Sequence, residues 1–336
     1  MYPTLRDIAK IANVSPKTVS RVINEEHFVN EKTRMKIQRI IQELGYRPNY
    51  VARSLRKNKT NTIGYIIPDM ANPFFGLVGR AIEKTLRKRG YSLIISTTRN
   101  TPHLEIETLN LLLSKKVDGI IFATIGETRD FLKKTLVPSK IPVVIIDNKI
   151  PELEYDTVLH DNVQGAFLLT RHLIEHGHRC ISFIAGPLGQ TSGQLRLEGY
   201  KRALEAENIL FREELVRYGD WQIMSGYEAT SDLIKSDTKF QALFAANSVM
   251  ALGVLKAIRA HRLKVPRDIA LVSFDDLDFA EVTEPPLTTI RSVESEIGQS
   301  AVKLLLARIE KEKDSHPIQE ILIPVSLNIR QSCGCE

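Results

Sequence analysis

From Ile63 onward the chain alternates short apolar runs with helix-length segments, and few architectures accept that alternation. Ile63-Gly64-Tyr65-Ile66-Ile67, Tyr91-Ser92-Leu93-Ile94-Ile95, Gly119-Ile120-Ile121-Phe122-Ala123 and Val143-Val144-Ile145-Ile146 are apolar on both faces. Strands buried on two sides have this composition, and the helical segments between them are the connections that parallel strands need. A second series contains Cys180-Ile181-Ser182-Phe183-Ile184-Ala185, Ala242-Leu243-Phe244-Ala245 and Ile269-Ala270-Leu271-Val272-Ser273-Phe274. Helices are predicted over 162–176, 226–235 and 248–261. The class is α/β, with two doubly wound lobes and a cleft between them. Ligands in such lobes bind at the C-terminal ends of strands, where Asp69, Asp147, Asn247 and Asp275 stand.

The first 61 residues follow another pattern. They hold 13 Lys and Arg against 5 Asp and Glu, a net +8, while the other 275 residues sum to −2. A basic head on a near-neutral body points to a polyanion, with nucleic acid the first candidate. Thr4 and Asp7 have the spacing of a capping box with Asp in place of Glu, and Leu5, Ile8, Ala9 and Ala12 share a face, so 4–11 is predicted as a helix. Asn13 suits the turn, because asparagine tolerates a left-handed backbone. Ser15 is a good N-cap and Pro16 a good first helical residue for a second helix. Its Val19, Val22 and Ile23 face inward, while Lys17, Ser20, Arg21 and Asn24 share a polar face suited to a DNA groove. A third helix is predicted from Glu31 to Glu43, with Ile37, Ile40, Ile41 and Leu44 as its stripe and Gly45 as its stop. This is helix–turn–helix plus one supporting helix.

With 336 residues, 43% of them hydrophobic and 26% charged, the chain can bury a full core. No apolar run is long enough for a membrane span and none resembles a signal peptide, so a cytoplasmic location is expected. Three cysteines agree with a reducing compartment. Cys180 is expected in the core. Cys333-Gly334-Cys335 is expected to be a pair of reduced tail thiols, since two ligands cannot close a four-ligand metal site and so short a disulfide loop would be strained. His172, His176 and His178 lie at i, i+4, i+6 and resemble half a zinc motif, but no His-Glu-x-x-His accompanies them. Dinucleotide, P-loop and G-x-S-x-G signatures are absent, which argues against catalysis. No cofactor is expected.

Between head and lobes lies Pro48-Asn49-Tyr50-Val51-Ala52-Arg53-Ser54-Leu55-Arg56-Lys57, either a basic linker or a short helix that folds only when docked. Together with T-L-R-D-I-A-K-I-A-N-V-S-P-K-T-V-S-R-V-I-N, I-G-Y-I-I-P-D-M-A-N-P-F-F, V-D-G-I-I-F, H-L-I-E-H-G-H-R, F-A-A-N-S-V-M-A-L-G and F-D-D with P-P-L-T-T-I, it gives an ordered set of motifs spanning the chain. The chain thereby resembles the lactose-repressor/galactose-repressor family of bacterial transcription regulators. The resemblance implies a helix-turn-helix DNA-binding domain at 1–46, a hinge helix and linker at 47–61, and a periplasmic-binding-protein-like core at 62–336. The implied N-lobe covers about 62–160 and 291–322, and the C-lobe about 161–290 and 323–336. It also implies a homodimer on a near-palindromic operator, the chain ending too soon after its last strand for a tetramer-forming helix. Base contacts would fall to Pro16, Lys17 and Arg21, with Leu55 wedged in the minor groove. Backbone contacts would fall to Ser15, Thr18, Asn24, Thr33, Tyr46 and Asn49.

In the cleft the resemblance implies effector contacts at Phe74, Phe75, Asn148, Gln190, Ser192, Arg196, Trp221, Asn247 and Asp275. That set suits a sugar or sugar derivative: carboxylates accept from hydroxyls, arginine donates a fork, and Trp221 offers an apolar ring face. Phe74 and Phe75 could equally be core, and Trp221 a surface prop. Family members usually carry Asp after Asn247, whereas this chain has Ser248, which favours an effector with fewer hydroxyls or one itself anionic. The expected function is repression of carbohydrate uptake or catabolism genes under effector control. A catabolite-control regulator with a phosphorylated carrier protein as corepressor is the alternative; there the basic run Arg80, Lys84, Arg87, Lys88 and Arg89 would matter, although a solvated helix face explains it as well.

Overall fold

A computed structural model describes residues 3–24, 26, 28–46, 59–291, 293–310 and 317–335. They fall into two compact units, residues 1–60 and 61–336.

The head is built from α1 (Leu5–Ala12), α2 (Pro16–Ile23) and α3 (Glu31–Glu43). Its ends are set by local hydrogen bonds. The Thr4 N–H donates to Asp7 Oδ2 at 2.8 Å while the Asp7 N–H donates to Thr4 Oγ1 at 3.3 Å, closing the capping box. Asn13 ends α1 in the left-handed region at φ 58°. Ser15 Oγ accepts from the Thr18 N–H at 3.1 Å, and Asn30 Oδ1 from the Thr33 N–H at 2.8 Å. Ile8, Ala9, Ala12, Val19, Val22, Ile37 and Ile40 form the core, and each fully buried Val or Ile contributes about 1.5–3 kcal/mol. Ile41 is only half-buried and Leu44 is exposed, so the stripe of α3 is narrower than its periodicity suggests. The expected hinge helix lies, from 47 to 58, outside the described residues.

The second unit carries two six-stranded sheets. The N-lobe sheet uses β1 (Thr62–Ile67), β2 (Ser92–Thr97), β3 (Gly119–Phe122), β4 (Val143–Ile146), β5 (Asp156–His160) and β11 (Glu320–Ile323) in the order β11-β5-β4-β3-β1-β2. All its pairings are parallel. The C-lobe sheet uses β6 (Ile181–Ala185), β7 (Val216–Tyr218), β8 (Ala242–Ala245), β9 (Ala270–Ser273), β10 (Thr288–Ile290) and β12 (Leu327–Asn328) in the order β12-β10-β9-β8-β6-β7. Its β12 runs antiparallel to β10. In each lobe the order reverses beside the first strand, the switch point at which doubly wound sheets bind ligands.

Helices α4 (Pro73–Arg87), α5 (Pro102–Ser114), α6 (Arg129–Ser139) and α11 (Glu294–Glu310) cover the first sheet. Helices α7 (Asn162–Glu175), α8 (Thr191–Ala206), α9 (Ile223–Lys235) and α10 (Ser248–Ala260) cover the second. A Cβ on Gly253 would lie 2.0 Å from the Ile223 carbonyl oxygen, so α9 and α10 can touch only because that position has no side chain. The chain passes between lobes three times: from β5 to α7, from β10 to α11 and from β11 to β12.

Two sequence expectations need correction. The run at 91–95 is not doubly buried, because β2 is an edge strand that leaves Ser92 and Ile95 exposed. Cys180 is not core: it precedes β6, partly exposed, with its thiol 3.8 Å from Arg212 Nη1. No helix among the described residues is long and apolar enough to cross a membrane.

Candidate functional site

In the head, burying Val19 and Val22 turns the opposite face of α2 outward. Pro16 and Lys17 are exposed there, with Thr18, Ser20, Arg21 and Asn24 half-buried beside them. The hydroxyls of Ser15 and Thr18 lie 2.9 Å apart, so each has a local partner. The Arg21 guanidinium lies 3.7 Å from the Glu26 carboxylate in a solvent-screened pair. Tyr46 is half-buried against the head core, and Thr33 sits in the first turn of α3. Asn49 and Leu55 lie outside the described residues. On α4, Arg87 pairs with Glu83, and Arg89 reaches Glu310 at 4.0 Å, so part of the basic run is neutralised locally.

In the second unit, strand ends from both lobes meet around about 480 Å³ of space, part of it open to solvent. Arg196 of α8 is its electrostatic centre and is buried. Its Nε donates to Asn162 Oδ1 at 2.8 Å and its Nη1 to the Ala246 carbonyl at 2.5 Å, while Nη2 stands 3.7 Å from Asp275 Oδ1. The guanidinium also lies 3.7 Å above the Phe274 ring. Four directions are thus fixed for one side chain.

Asp147 and Asp275 follow β4 and β9, and both take left-handed backbone conformations, at φ 66° and 64°. That geometry turns each carboxylate off its strand end toward the cleft. Burial pushes the Asp147 carboxyl up to about 6, partly offset by Arg196. Burial raises Asp275 too, against the pull of Arg196 and the Ser248 N–H. His160, wedged between Phe74 and Phe274 at ring distances of 5.3 and 6.0 Å, is pushed down to about 3 by burial and by the Arg196 charge, so it is neutral at pH 7.

Trp221 closes one wall. Its Nε1–H donates to Gln190 Oε1 at 2.8 Å, and Asn247 Nδ2 donates to its carbonyl at 3.3 Å. A Cβ on Gly186 would fall 2.0 Å from the indole, so the ring rests on bare backbone at the end of β6.

Of the cleft residues expected from the sequence, Phe74, Phe75, Gln190, Ser192, Arg196, Trp221, Asn247 and Asp275 all line this space. The two phenylalanines are both core and wall, 4% and 6% exposed. Asn148 stands behind the lining, where its Oδ1 accepts from the Ser192 N–H at 3.0 Å and hydroxyl at 2.8 Å and its Nδ2 donates to the Thr124 carbonyl at 3.1 Å. It joins the lobes rather than facing the space. Ser248 is also off the lining: it is buried in the first turn of α10, its hydroxyl without a partner among the described residues. Sequence reasoning placed Asp69 and Asp147 at strand ends without assigning them to the site, and missed Asn72, Asn100 and Gln222. The available signal was position, since each of these three lies in a polar segment soon after a strand.

A helix-turn-helix head with a basic outer face, followed in sequence by two doubly wound lobes around a polar cleft, defines the class of ligand-binding, DNA-binding regulators. The chain belongs to the lacI family of bacterial regulatory proteins: that family's model matches residues 4–49, and a periplasmic binding protein-like domain model matches residues 170–333. It is a transcriptional regulator and not an enzyme. The HTH-type transcriptional repressor PurR of Actinobacillus pleuropneumoniae serotype 3 (strain JL03) is 36% identical over 329 residues, 98% of each chain. The ribose operon repressor of Escherichia coli (strain K12) is 36% identical over 309 residues, 91% of this chain and 93% of that one. Among solved structures, the lac repressor dimer bound to operator and the anti-inducer ONPF superposes with a TM-score of 0.87 at 30% identity, covering 99% of each chain.

Proposed function

We propose that the chain is a cytoplasmic repressor of carbohydrate uptake or catabolism genes whose grip on operator DNA is set by a sugar or sugar derivative in the cleft. The carrying observation is the chemistry facing that space. Arg196, Asp147, Asp275, Asn247 and Gln190 offer donors and acceptors around the face of Trp221, the pattern that binds a ring with polar edges and apolar faces. A relative at 36% identity named for the ribose operon supports the same class of ligand.

The repressor acts as a homodimer on a near-palindromic operator, as the lac repressor dimer is bound to its own operator. Pro16, Lys17 and Arg21 read bases, with Arg21 forking to a guanine, and Leu55 enters the minor groove. Ser15, Thr18, Asn24, Thr33, Tyr46 and Asn49 hold phosphates. The effector set comprises the lining residues named above, with Asn148 positioning Ser192. Binding draws the lobes together and changes operator affinity by about 5–150-fold, the range of ordinary allosteric coupling.

The test is operator binding by the full chain, titrated with a panel of sugars and sugar phosphates. At least one compound is expected to shift affinity within that range. If none does while a phosphorylated carrier protein does, the effector reading fails and the carrier reading replaces it.

A further inference from the structure

At the C-terminal end of α7 lies a cluster that neither DNA binding nor the cleft uses. His172 and His176 stand one turn apart at the end of α7, ring centroids 4.4 Å apart. The chain's last 3-10 turn, Gln331–Cys333, runs beside them, and Gly334 at φ 92° folds the tail back so that Cys335 returns next to Cys333. The two sulfurs are 2.9 Å apart, and Cys335 Sγ lies 3.0 Å from His176 Nε2 and 3.4 Å from His172 Nε2. The ligand atoms of His172, Cys333 and Cys335 all fall within 4.8 Å of one another.

We propose that His172, His176, Cys333 and Cys335 bind one zinc-class divalent ion that clasps the C-terminal tail to α7. Bonds of about 2.0–2.3 Å from a tetrahedral ion place neighbouring ligand atoms roughly 3.3–3.8 Å apart; His172, Cys333 and Cys335 are already gathered near that spacing, and His176, 3.0 Å from Cys335, completes a two-cysteine, two-histidine shell once its ring turns in. The second sphere is already set. His176 Nδ1 lies 2.8 Å from the His172 carbonyl oxygen, which can only accept, so Nδ1 carries the proton and the lone pair sits on Nε2, the atom facing the sulfur. Cys333 is fully buried, its sulfur 3.2 Å from the Thr288 hydroxyl, which can donate to a thiolate. Thiolate with imidazole favours zinc over magnesium or calcium. Binding replaces the two thiol protons, which leave to solvent, with one doubly charged ion, so the site stays neutral overall.

The test uses the full chain without a histidine tag, stripped with chelator and kept reduced and anaerobic. Cobalt(II) titration is expected to give one equivalent per chain, with thiolate-to-cobalt charge-transfer and tetrahedral ligand-field bands that zinc abolishes. Zinc should also raise the melting temperature. Cys335→Ser and His176→Gln alter the least buried ligands; each should weaken binding at least 10- to 100-fold and remove the zinc-dependent melting shift, with an unchanged circular dichroism spectrum. Cys180→Ser should change nothing. The proposal is overturned if wild type gives no thiolate–cobalt bands, if Cys335→Ser or His176→Gln binds cobalt as tightly as wild type, or if Cys180→Ser loses the bands.

Discussion

The Gln222 side-chain amide donates to Asp69 Oδ2 at 3.0 Å, joining the loop after β1 in one lobe to the N-cap of α9 in the other. The Asn148–Ser192 bonds and the Lys149 N–H, which donates to Thr191 Oγ1 at 2.8 Å, are further polar ties between the lobes. Gln222→Ala removes the Asp69 tie alone. A single part-buried hydrogen bond contributes on the order of 1 kcal/mol, so global stability should change little while effector affinity falls about 2- to 10-fold. Calorimetric titration beside urea unfolding separates the two; equal losses in both would show that the tie only supports the fold.

Arg196 has the opposite profile. Replacing it with Met leaves the Ala246 carbonyl, Asn162 and the Asp275 carboxylate buried without their cation. Breaking a buried pair from one side costs about 3–5 kcal/mol, and effector binding should vanish as well. A variant with near-native urea midpoint would contradict the buried placement of this side chain.

Asp147 predicts a pH dependence. Its carboxyl titrates at about 6 in the fold against 3.8 for the ordinary group. A raised folded value means that its stabilising contribution is complete below 3.8 and is lost as pH rises through about 6. Asp147→Asn should therefore raise the melting temperature of ligand-free protein above pH 7, with the gain fading toward pH 4. Affinity for a neutral sugar should move the other way in wild type, rising about fivefold through pH 6 as the carboxylate becomes a charged acceptor, and flattening in the variant. A flat wild-type profile would remove Asp147 from ligand contact.

At the head, Arg21→Ala should weaken specific operator binding by about 1–3 kcal/mol and relax preference at one base pair, whereas Thr18→Ala should weaken all sequences alike. Gel-shift competition against single-base operator variants distinguishes these patterns. Base preference untouched by Arg21→Ala would reassign that face of α2.

How much of this was legible depends on the range of the interaction. The bounds of α3, the Thr4–Asp7 box and the left-handed Asn13 follow from neighbours within four positions, and periodicity carries them. Strands β1, β3, β4, β6, β8 and β9 announce themselves as apolar runs because both faces are covered. Strands β7 and β11 do not: Val216–Tyr218 is too short, Glu320–Ile323 mixes exposed and buried residues, and each finds its place only by pairing at an edge. In the cleft, residue types were readable through resemblance, but the Gln222–Asp69 tie spans 153 positions and has no local signature. The histidine and cysteine groups are each visible in the sequence, and each alone is too small a ligand set for a closed metal site. What joins them is a contact across 159 positions, made by the tail's return against α7.

The three passages between lobes give the two units different genetic character. Neither lobe is one continuous stretch, since β11 completes the first sheet and β12 the second within the same few residues. A stop codon after α11 therefore removes an edge strand from both lobes at once, and a recombination junction anywhere from α7 to β11 splits two domains together. The head, by contrast, is a continuous segment ending by residue 60, so exchange at that boundary can transfer one chain's DNA preference to another's ligand response.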